Sequence, residues 1–78
     1  MPRRLRFADR VMHLRHLEQA ERHIIQGERR IAEQEDRIDG LARRGYDVTA
    51  ARNLLDSFYA SQELFIQHRD EILEALEP

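Results

Sequence analysis

An aliphatic side chain recurs every seventh residue at Leu17, Ile24, Ile31 and Ile38. A second seven-residue series follows at Ala51, Phe58, Phe65 and Ile72. Seven residues make nearly two helical turns, so each series marks a stripe along one helix. Neither segment shows the alternation of a half-buried strand. Between them lies Gly45-Tyr46-Asp47. Glycine suits the left-handed position that ends many helices, and aspartate suits an N-cap. The pattern predicts an all-α antiparallel hairpin, coiled-coil-like and a single domain. Its first helix covers about 5–44, its turn 45–47 and its second helix about 48–76.

Local chemistry supports these bounds. Glu18/Arg22 and Glu33/Arg37 are acid-first pairs at the helical spacing of four. Arg43 and Arg44 suit the negative end of the first helix dipole. Gly40 is a competing stop, but Leu41 and Ala42 continue the apolar stripe beyond it. Tyr46 is placed to pack on Ala51, and Thr49 is a second cap candidate.

A tight turn sets the two stripes face to face. It brings Ile38 opposite Leu54, Gln34 opposite Phe58, Gly27 opposite Phe65 and Ala20 opposite Ile72. The expected hairpin core is therefore Leu17, Ala20, Ile24, Gly27, Ile31, Ile38, Leu54, Phe58, Phe65 and Ile72. Large groups meet small ones, with Gly27 leaving room for the Phe65 ring. Gln62 and Arg69 fall inside the apolar arc of the second helix. Either they form a buried polar pair, with Glu21 or Glu28 in reach, or the Arg69 stem packs while its head reaches water.

A chain of 78 residues buries only ~60–65% of the surface it exposes when unfolded. No cysteine is present to staple it. The second helix also carries more apolar surface than one neighbour covers, and Phe7, Leu14 and Ile25 lie off the first stripe. Leu14, Ile25, Leu55, Tyr59, Ile66 and Leu73 are the expected interface. A homodimer forming a four-helix bundle is the simplest way to cover them.

Composition narrows the chemistry. All thirteen basic residues are arginine, so lysine Schiff bases and P-loop phosphate binding are excluded. His68-Arg69-Asp70 spells the kinase catalytic triplet, but the chain has no Gly-rich loop and no lysine to accompany it. His13 and His16 are weak candidates for a metal, and no carboxylate pattern completes their site. No enzyme activity and no cofactor are expected. No apolar run is long enough for a membrane span, and no signal-peptide pattern follows the basic start. The expected location is the cytoplasm.

One charge asymmetry stands out. Arg3, Arg4, Arg6, Arg10 and Arg15 face only Asp9 in the first sixteen residues, while acids dominate 56–78. A basic arm for nucleic acid is one reading, with Phe7 as its sole aromatic. Self-complementarity is the favoured one, because an antiparallel hairpin sets these two regions at the same end.

The segments HLEQAERHI at 16–24, GERRIAEQ at 27–34, LARRGYDVTAARNLLDSF at 41–58 and HRDEIL at 68–73 carry a resemblance. Over residues 17–76 the chain resembles small uncharacterised helical-hairpin proteins of proteobacteria. The resemblance implies a bacterial cytosolic hairpin and brings no activity, ligand or site residue with it. The expected function is a small interaction or regulatory module that works through helix packing.

Overall fold

The two stripes become two helices. A computed structural model describes residues 6–78. Helix α1 spans Phe7–Arg43 and α2 spans Thr49–Leu76, and among the described residues there is no strand. The bounds differ from expectation by one or two residues, within the ordinary fraying of helix ends. Arg3 and Arg4 of the basic arm lie outside the described residues.

The glycine stop is met as expected, and the aspartate cap is not. Gly45 adopts φ 78°, the left-handed conformation that glycine enters without penalty. The Tyr46 N–H donates to Leu41 O and the Gly45 N–H to Ala42 O, both at 3.0 Å. This is the paired closure of a Schellman motif, which satisfies carbonyls that the helix leaves open. Val48, not Asp47, occupies the N-cap position of α2. Asp47 still ties the turn down: its Oδ1 accepts the Thr49 N–H at 2.9 Å and the Thr49 hydroxyl at 2.7 Å. Those two donors hold the Asp47 carboxyl below its ordinary value of 3.8.

The seam between the helices has two rows per helix, not one. On α1 the seam positions, all buried or half-buried, run Leu17, Ala20, Ile24, Gly27, Ile31, Gln34, Ile38, Leu41, and His23 and Gly40 beside them are half-buried as well. On α2 they run Ala51, Leu55, Phe58, Gln62, Phe65, Arg69, Ile72, Leu76. Both alternate steps of three and four, the heptad spacing of a coiled coil. The rows visible in the sequence are the apolar ones. The second rows are mixed, with Ala20, Gly27 and Gln34 on α1 and Gln62 and Arg69 on α2.

Alignment is where expectation and structure part. Gly27 meets Gln62, three positions earlier in α2 than the expected Phe65. A β-carbon at Gly27 would collide with Gln62 Oε1 and lie 2.8 Å from its Cδ. Glycine is therefore needed for close approach, as expected, but for an amide rather than a ring. Phe65 lines the same recess and packs its ring 5.3 Å from that of His23. Leu54 is corrected from core to surface, at 45% exposed, and Leu55 takes the seam position beside Ile38. Seven-residue spacing identifies a stripe but does not say which neighbour of that stripe completes the seam. Ala20 and Ile72 fall in one buried cluster with Leu76, and Leu17 packs against it.

Two glutamines cross-link the seam in opposite directions. Gln62 Nε2 donates to Ile24 O of α1 at 2.9 Å, and Gln34 Nε2 donates to Ala51 O of α2 at 2.9 Å. Both side chains are buried, and Gln62 Oε1 is left with no partner. Each bond binds the side chain of one helix to one backbone position of the other. A shift of alignment breaks both and strands buried amides.

Candidate functional site

A heptad seam has a flank on each side, and here the two flanks differ in chemistry. One position beyond the mixed row of α1 stand Glu21, Glu28 and Glu35. One position beyond the apolar row of α2 stand Tyr59, Ile66 and Leu73. In an antiparallel pair these series share one broad face of the hairpin. Glu35, Asp39, Asp56 and Arg52 line a crevice of about 350 Å³ on it, over Ile38 and Leu55. Partial desolvation raises the Tyr59 phenol above its ordinary value, and the negative charges of Glu35 and Asp56 push it the same way.

The opposite face carries histidines and arginines, with Glu33 between Arg30 and Arg37. One position before the apolar row of α1 stand His16, His23, Arg30 and Arg37. Three crevices follow one another along it. His16, His23, His68, Leu64 and Phe65 line the first, of about 370 Å³. Arg30, Ser57, Ser61 and Phe65 border the second, of about 200 Å³, and Arg30, Glu33, Arg37, Leu54 and Phe58 the third, of about 330 Å³. The charged rows were readable in the sequence only once the mixed rows of the seam were assigned.

The expected interface divides. Leu14, Ile25, Tyr59, Ile66 and Leu73 are exposed, the least of them Ile66 at 36%. Leu55 is the correction, half-buried in the seam between the helices. Phe7, Met12 and Leu64 add exposed apolar surface that the expected interface did not contain.

The polar candidates also separate. Gln62 is buried and bonded as described. Arg69 packs its stem in the seam and turns its head to Asp70, with Nε at 3.1 Å and an Nη at 3.0 Å from Oδ1. That is the snorkelling arrangement, and neither Glu21 nor Glu28 takes part. It is the one ion pair among the described residues, so the acid-first pairs of α1 are not closed.

His13 and His16 set their rings 6.5 Å apart. His13 Nδ1 lies 2.7 Å from Asp9 O, so that nitrogen carries the proton and donates along its own helix. Among the described residues no group of three or more His, Asp or Glu is placed to hold a metal ion. No described helix is long and apolar enough to cross a membrane.

Arg10 bears on the basic arm. Its guanidinium donates to Leu76 O at 3.2 Å, capping the negative end of α2. The basic start of α1 and the acidic end of α2 thus meet within one hairpin. No protein-family model, curated protein or solved structure matches this chain.

Proposed function

We propose that this hairpin is a non-enzymatic protein-interaction or regulatory module, cytoplasmic and bacterial, that acts through helix packing. Its first partner is itself, two hairpins forming a four-helix bundle. The observation that carries the reading is the shortage of enclosure. No described side chain is completely enclosed, and five apolar residues make up the buried core. The chain exposes 6667 Å², against roughly 5,000 Å² for a compact protein of this mass. The difference is roughly twice the ~800 Å² that one partner contributes to a standard protein interface. Its radius of gyration is 17.8 Å, where a compact chain of this length has about 11–12 Å. The exposed band of Leu14, Ile25, Tyr59, Ile66 and Leu73 is the surface that a second hairpin covers.

Sedimentation equilibrium over a wide concentration range, with helicity followed by circular dichroism, tests the reading. A helical species heavier than one chain is expected. A helical monomer at every concentration counts against self-association.

A further inference from the structure

The two broad faces are complementary in charge and equal in period. Glu21, Glu28 and Glu35 recur every seven residues on one, and His23, Arg30 and Arg37 every seven on the other. Glu28 and Glu35 on the one face and Arg30 and Arg37 on the other are each about 10.5 Å apart along the helix. A second copy laid on the first can therefore pair both arginines with glutamates in a single alignment. A two-fold contact would instead set each face against itself. On the acidic face that opposes the Glu21/Glu28/Glu35 row and the Asp39/Asp56 crevice to their own copies, with Arg52 as the basic group there. On the basic face it opposes arginine to arginine.

We infer that the hairpin associates heterologously, the acidic face of one copy seating on the basic face of the next. Leu14, Ile66 and Leu73 on the glutamate face, and Leu54 beside the arginines with Leu64 beside the histidines on the other, supply the apolar contact. Each added copy leaves one face of each sign open, so assembly continues with concentration and does not close at two. This inference rests on the self-association proposed above and replaces its closed two-hairpin bundle with an open stack. Exposed charges at such a contact are screened by salt.

Two charge reversals test it, R30E/R37E on the basic face and E28R/E35R on the acidic face. All four positions are exposed and outside the seam, and circular dichroism checks that each variant keeps its helicity. Sedimentation velocity of the wild type should show growth beyond two copies. Its apparent affinity should weaken on the order of tenfold or more between ~50 mM and ~500 mM salt. Each variant alone should remain a monomer at concentrations where the wild type associates, and a one-to-one mixture should associate again. The R30Q/R37Q chain should associate more weakly than wild type without full loss. A salt-insensitive dimer that persists in both reversed variants overturns the heterologous contact and leaves self-association standing. A wild-type monomer at every salt and concentration overturns both.

Discussion

The middle of the seam and its open end are built on different principles. At the open end Ala20, Ile72, Leu76 and Leu17 form an apolar cluster, and Arg10 caps the last carbonyls of α2. In the middle, Gly27 makes a notch filled by the Gln62 amide, and Gln34 crosses to the other helix. Apolar contact is non-directional and tolerates sliding. A buried amide is directional and penalises every alignment but one. The open end therefore supplies adhesion and the middle supplies register.

Ile72→Ala should show the largest effect. Truncating a buried isoleucine costs about 2–5 kcal/mol, read as a lower urea midpoint by circular dichroism. Leu54→Ala, at a position 45% exposed, should move that midpoint far less. Equal losses at the two sites would return Leu54 to the core.

Gly27→Leu should come next. Leucine is the better helix former by up to ~1 kcal/mol, yet it occupies the space of the Gln62 amide. Overpacking of this kind costs about 1–3 kcal/mol, so net destabilisation is expected. Gln62→Ala in the same chain should recover much of the loss. A loss unchanged in the double variant would mean that another group fills the notch.

Replacing Gln34 and Gln62 together by leucine should raise stability by about 1 kcal/mol, because it removes an unpartnered buried oxygen. It should also loosen register. Spin labels on one engineered cysteine in each helix should report one distance in the parent and a broader spread in the variant. A single narrow distance in both would deny the glutamines their role.

The smallest effect belongs to the turn. The Asp47 carboxyl sits below its ordinary value in the folded chain because Thr49 donates twice to it. A lowered folded value means that its stabilisation is present above 3.8 and is lost as the pH falls through the folded value. Asp47→Ala should lower the melting temperature modestly at neutral pH, and the gap should narrow in acid. A gap that does not change with pH would mean that the cap acts through backbone geometry instead of charge.

Much of this is legible in the sequence. The seven-residue stripes specified two helices and Gly45 specified the left-handed stop, because these are local properties of a short segment, whereas the expected Asp47 cap gave way to Val48. Leu14, Ile25, Tyr59, Ile66 and Leu73 could be placed outside the hairpin core from their angle on the helix alone. Leu54 and Leu55 could not be told apart that way, since adjacent positions flank the same stripe and only the partner helix selects between them. The same holds for Gln62 at Gly27: a notch and the amide that fills it lie 35 residues apart, and periodicity carries no information about which long-range neighbour meets which. The sequence by itself determined the elements, their ends and their amphipathic stripes, because backbone propensity and spacing act over a turn or two. Tertiary structure alone decided the alignment of the helices, and with it the separation of charge onto two faces, because that choice depends on side-chain volumes and hydrogen bonds between residues distant in the chain.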